Sequence, residues 1–126
     1  MIKQIFFDVD GTCISKDDQT RPGVLDVMKF CHSKNVMVMM WSGGGFGYAK
    51  TWAKRIDPNG EAHIHVVEKT PGTLITGQMM VDDMKEMTKL AKMLGAIGYW
   101  VPFYEPLITQ NDNEMYKLKE FLERLL

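Results

Sequence analysis

The run Ile5-Phe6-Phe7 is apolar at every position and is cut off at once by Asp8 and Asp10. A strand that is apolar on both faces must be covered on both sides, and its acids fall at the rim of whatever sheet it joins. The pattern then repeats. Residues 36–41 form a second unbroken apolar run that opens into Ser42 and the glycines at 43, 44, 45 and 47. Residues 63–67 form a third strand, and residues 78–81 a fourth that ends in Asp82-Asp83. A last strand is expected over residues 99–104.

Helical periodicity fills the intervals. Pro22 suits a first helical turn, and Val24, Leu25, Met28 and Cys31 recur at helical spacing, which predicts a helix over residues 22–33. Residues 48–56 read as a second helix, stopped by Asp57-Pro58-Asn59-Gly60, and residues 84–94 as a third, stopped by Gly95. Residues 113–126 make an amphipathic terminal helix. Buried strands alternating with helices require a parallel sheet covered on both faces, so the chain is expected to be an α/β three-layer sandwich with a Rossmann-like sheet. Its 126 residues suit one domain, residues 1–126, with no internal repeat.

Composition narrows the function classes. A hydrophobic share of 45% and a charged share of 25% are ordinary for a globular protein. A net charge of -1 gives no global positive field, which disfavours nucleic acid as a partner but leaves a phosphorylated polynucleotide end open. No apolar stretch is long enough for a membrane span or resembles a signal peptide. Cys13 and Cys31 follow no metal-ligand or disulfide spacing and read as free thiols, which makes the cytoplasm the expected compartment.

In an open parallel sheet, ligands bind outside the carboxyl ends of the strands. Asp8, Asp10, Thr12, Ser42, Gly43, Lys69, Asp82 and Asp83 all collect there. Converging carboxylates repel one another, and a divalent cation relieves that repulsion. Oxygen ligands without His or Cys suit a hard ion, for which Mg²⁺ is the natural choice. Thr12 and Ser42 offer hydroxyls, Gly43 a backbone N–H and Lys69 a cation, together a cradle for phosphate. Asp8 is placed to attack phosphorus as a nucleophile, and Asp10 to protonate the leaving oxygen and later deprotonate water.

The segment Ile5-Phe6-Phe7-Asp8-Val9-Asp10-Gly11-Thr12 resembles the first motif of the haloacid dehalogenase superfamily, an apolar strand followed by Asp-x-Asp-x-Thr. Ser42 looks like the family's second motif and Asp82-Asp83 like its fourth, in the expected order. Lys69 is taken as the third-motif lysine over Lys50 and Lys54 because it precedes Thr70-Pro71. The resemblance implies a phosphatase in which Asp8 is nucleophile and metal ligand. Asp10 would ligate through its backbone carbonyl, Asp82 would complete the protein ligands, and Asp83 would ligate or support them. The intervals 13–21 and 70–77 are too short for the family's cap domain, which implies an open, capless site. Capless relatives often act on large phosphorylated substrates or borrow a neighbouring subunit as lid, so substrate size and homo-oligomerisation stay open.

Other readings share these residues. A phosphotransferase would differ only in the acceptor, and a binding or regulatory protein would keep the fold and magnesium site without turnover. A dehalogenase gives Asp10 no task. His63 and His65 alternate on one strand face without an adjacent acidic or Cys partner and read as a structural or exposed pair. The aromatic stretch Trp100, Phe103 and Tyr104 suits either core packing or a substrate or dimer surface.

Overall fold

Phe6 and Phe7 are both buried, although neighbouring residues of a strand point to opposite faces, so the first strand needs a core on each side. The computed structural model, which describes residues 1–126, supplies both. Strands β1 (Gln4–Asp8), β2 (Met37–Trp41), β3 (His65–Val66), β4 (Gln78–Asp82) and β5 (Ile97–Trp100) form one sheet in the order β3-β2-β1-β4-β5. Every pairing is parallel. Helices α1 (Val24–Ser33), α2 (Phe46–Ile56), α3 (Lys85–Met93) and α4 (Glu114–Leu125) follow β1, β2, β4 and β5, while β3 and β4 are joined through a single 3₁₀ turn, Pro71–Thr73. This is the expected α/β sandwich, and no helix is long and apolar enough to cross a membrane.

The two cores are unequal. Phe7, Val38, Met40, Met79 and Val81 pack with the inner faces of α1, α2 and α4, including Val27, Met28, Trp52, Leu118 and Leu122. On the opposite face Phe6, Met39, Trp41 and Met80 meet the smaller set Ala91, Ala96 and Leu74, with half-buried Val67 and Met87 at its edge. Six methionines, Met28, Met39, Met40, Met79, Met80 and Met115, are buried, so they fill core space as flexible apolar side chains.

Strand ends differ in detail from the sequence expectation. β5 covers Ile97–Trp100 rather than residues 99–104. The chain enters it directly from Gly95, whose φ of 90° favours glycine, and leaves it before Pro102, which has no N–H for a ladder. At Gly98 the strand runs so close to the Thr88 carbonyl that an added Cβ would collide with it. β3 shrinks to His65–Val66 because His63, at φ 50°, is in the left-handed region, outside the extended range.

Arg21 fixes the loops beside β1. Its side chain is fully buried, and all five N–H donors are used. Nε and Nη2 each donate to Asp112 at 2.9 Å, Nη1 donates to the carbonyls of Gly11 and Thr12 at 3.2 Å, and Nη2 also donates to the Pro102 carbonyl at 2.7 Å. One guanidinium thus joins the turn after β1, the segment after β5 and the approach to α4. Arg21→Met should lower unfolding free energy by about 3–5 kcal/mol, because it strands the Asp112 carboxylate in the interior. Arg21→Lys should recover little of it, since an ammonium has three donors and no fork geometry. Urea denaturation followed by circular dichroism checks both, and a loss for Arg21→Met below about 1 kcal/mol would refute this role.

Candidate active site

β1 and β4 are neighbours whose outward crossovers diverge, β1 toward β2 and β4 toward β5, so the crevice opens between them. Their register pairs Phe7 with Val81, which brings the next residues, Asp8 and Asp82, side by side. Asp8 is also level with Trp41, which sets Ser42 one residue further along on the other flank. Parallel pairing therefore gathers at one rim acids that the chain separates by most of its length.

The Lys69 ammonium lies between the two strand ends, donating to Asp8 Oδ1 at 2.8 Å and to Asp82 Oδ2 at 3.0 Å. The other Asp82 oxygen accepts the Met84 N–H at 2.8 Å, so this fully buried carboxylate also shapes the turn into α3. Thr12 Oγ1 donates to Asp83 Oδ1 at 3.2 Å and stands 3.5 Å from Asp8 Oδ2. Asp8, Asp82 and Asp83 each present an oxygen, and these oxygens lie within 4.8 Å of one another. Opposite ligands of a six-coordinate Mg²⁺ are about 4.2 Å apart and those of Ca²⁺ about 5 Å, so the donor set suits a hard divalent cation.

The remaining expected residues stand around this centre. Ser42 is buried and its Oγ accepts the Gly44 N–H at 2.9 Å, which folds the glycine turn back over the strand end. The Gly43 N–H has no acceptor within the protein, leaving it free for an anion. The Asp10 side chain is exposed and lies apart from the three-acid cluster, accepting the Tyr48 hydroxyl at 2.6 Å. Lys50 and Lys54 lie elsewhere, lining an open cavity of about 510 Å³ with His63 and His65. His63 stacks on His32 with ring centroids 4.2 Å apart. Cys13 and Cys31 are unpaired and buried, and burial pushes both thiols up, Cys31 to about 12, so neither is a reactive group.

The roles of Tyr48 and Arg21 are not visible in the sequence. Tyr48 sits in the first turns of α2 and touches Asp10 across the chain, a contact no local spacing announces. Of the aromatic stretch, for which the sequence allows either core packing or a substrate or dimer surface, Tyr104 is buried while Trp100 and Phe103 are half-exposed. Arg21 had no visible partner, because Asp112 is far along the chain.

Charge explains the electrostatics. Burial, and then the neighbouring Asp82 charge, push the Asp8 carboxyl up to about 7 against the opposing pull of Lys69. Burial would lower the Lys69 ammonium, but Asp8 and Asp82 outweigh it and hold the group above its usual value. Burial also raises Asp83. One ammonium is therefore insufficient to neutralise the acids around it.

Compared with models of known protein families the chain finds no match, and compared with curated proteins it finds no significant one.

Because the Asp8 carboxyl is raised in the folded chain, the proton it holds stabilises the metal-free fold fully below about pH 3.8, and that stabilisation is lost as pH rises through about 7. With chelator present, Asp8→Asn should therefore be more stable than wild type at pH 8, by on the order of 4 kcal/mol, and the gap should close toward pH 4. Thermal melts across that range check it; a difference that does not change with pH would remove Asp8 as the titrating group.

Proposed function

We propose that the chain is a Mg²⁺-dependent phosphomonoester hydrolase of the haloacid dehalogenase type, working through an aspartyl phosphate on Asp8. The observation that carries this reading is the Lys69 ammonium bridging Asp8 and Asp82 at the carboxyl ends of adjacent parallel strands, with Asp83 in reach of the same point. Lys69, which its place before Thr70-Pro71 singles out in the sequence, lies in contact with both Asp8 and Asp82. Such a centre has both what a phosphate dianion needs, a fixed cation, and what a divalent metal needs, converging carboxylates.

Asp8, Asp82 and Asp83 would hold the ion, with the Asp10 carbonyl as a further donor. When bound, Mg²⁺ neutralises these acids and draws charge from the phosphoryl oxygens. Thr12, Ser42, the Gly43 N–H and Lys69 orient those oxygens. A ligand cation also favours the ionised form of Asp8, which is the form that attacks.

In the first displacement an Asp8 oxygen forms a bond to phosphorus as the bond to the ester oxygen breaks. Asp10 gives its proton to that leaving alcohol. In the second displacement Asp10 takes a proton from water, the water oxygen bonds to phosphorus, and the bond to Asp8 breaks to release inorganic phosphate. Asp10 suits proton exchange because its carboxyl is exposed and held in place by the Tyr48 hydroxyl.

Phosphate release from an aryl phosphate is the direct test. Wild type with Mg²⁺ should turn over and chelator should stop it. Asp8→Asn should be inactive, and Lys69→Ala should lose on the order of a hundredfold in kcat/KM. Turnover that survives Asp8→Asn would reject covalent catalysis by this residue. Complete absence of turnover in wild type would leave the chain as a binding protein with a phosphatase fold.

A further inference from the structure

Two half-exposed aromatic rings stand beside the acid cluster, and the chemistry above uses neither. A Cβ added at Gly11 would lie 2.6 Å from Phe103 Cε2 and 2.8 Å from Asp83 Oδ2, so ring edge and carboxylate meet at one point over the turn after β1. Trp100 donates its indole N–H to the Asp83 carbonyl at 2.8 Å. Both rings remain open to solvent, Trp100 at 42% and Phe103 at 43% of full exposure. Both are also fixed. The Val101 N–H donates to the Asp82 carbonyl at 3.0 Å and the Tyr104 N–H to the Gly11 carbonyl at 2.8 Å, which straps the segment to β4 and to the turn after β1. Tyr104, by contrast, is buried, with the Arg21 guanidinium 5.4 Å from its ring centroid.

Large apolar side chains held rigidly in water incur a solvation cost without improving the core, and their place decides what covers them. Trp100 touches Asp83, a member of the acid cluster, and Phe103 stands over the turn that carries Gly11 beside it. Whatever is esterified to a phosphoryl group at Asp8 has to lie along the rim, and on the β5 flank the rim is made of these rings. No cap contributes other contacts to the alcohol half of a substrate. Pinned indole and phenyl rings favour a flat π-surface, which stacks on them without ordering further side chains.

We propose that Trp100 and Phe103 form a stacking wall that selects phosphomonoesters whose alcohol half carries a planar aromatic ring. The inference rests on the phosphatase reading and adds its substrate class. The Lys85 ammonium lies over one face of the Trp100 ring, 4.7 Å from its centroid, so a stacking partner meets the other face or displaces this flexible side chain.

The test compares matched esters that differ only in the ring. Adenosine 5′-monophosphate against ribose 5-phosphate places the ring at a distance from the phosphoester. Benzyl phosphate against cyclohexylmethyl phosphate places it close, and the pair with the larger ratio identifies a nucleotide-like or an aryl-like substrate. In at least one pair the aromatic ester should have about a tenfold higher kcat/KM in wild type. In Trp100→Leu/Phe103→Leu, with the single Trp100→Leu as a milder variant and circular dichroism as the folding control, that ratio should fall toward one. Phenyl phosphate provides the control for the chemistry itself. If it is hydrolysed but neither pair discriminates, or if the ratio survives both variants, the wall is overturned while the phosphatase stands. If phenyl phosphate is inert, both readings fall. Variants that dissociate a dimer in sedimentation and leave the ratio intact would assign the rings to self-association and overturn the proposal.

Discussion

A single buried cation holds the working end of this fold together. Arg21 satisfies every donor it has, and its acceptors belong to three loops that share no secondary structure. Its bonds to the Gly11 and Thr12 carbonyls fix the turn that follows Asp8, so the geometry of the acids depends on a residue that touches none of them. Removing a charge from water is costly, and it is tolerable here only because Asp112 and three carbonyls replace the lost hydration. The same guanidinium ties the segment after β5 down, which is why Trp100 and Phe103 have fixed positions beside Asp83.

Much of this was legible in the sequence because the signals are local. Apolar runs ending in acids marked β1 and β4, glycine clusters marked the break after β2, and the parallel sheet followed from alternation. The chemistry-bearing residues sat at strand ends, and strand ends of a parallel sheet share one edge. Strand order carried no such mark. Nothing in residues 2–7 states that β4 rather than β2 lies on a given side, and only that order makes Asp82 the neighbour of Asp8. The boundaries of β5 were misread because Trp100, Phe103 and Tyr104 have strong strand propensity, whereas Pro102 and the close crossing at Gly98 settle where pairing stops.

Partners distant along the chain were the other blind spot. Arg21 with Asp112 and Tyr48 with Asp10 are joined by tertiary contact alone, and a side chain with one charge or one hydroxyl looks the same whether its partner is water or a buried carboxylate. Lys69 shows the opposite case. Its neighbours Thr70 and Pro71 marked it out, and its position between the third strand and the last acids limited where it could reach.

The unequal covering of the sheet has a further meaning. On the face opposite α1, α2 and α4, residues 67–77 lie over the strands with Leu74 as the one fully buried anchor, and the single 3₁₀ turn Pro71–Thr73 has no buried residue. Lys69 rides on that stretch. Segments with few buried contacts open locally at far lower cost than the whole fold, and an opening here would withdraw the ammonium and leave Asp8 and Asp82 facing each other. Local order along residues 67–77 and charge balance between two strand ends are therefore one coupled equilibrium, so a segment with a single buried anchor governs the most highly charged point of the rim.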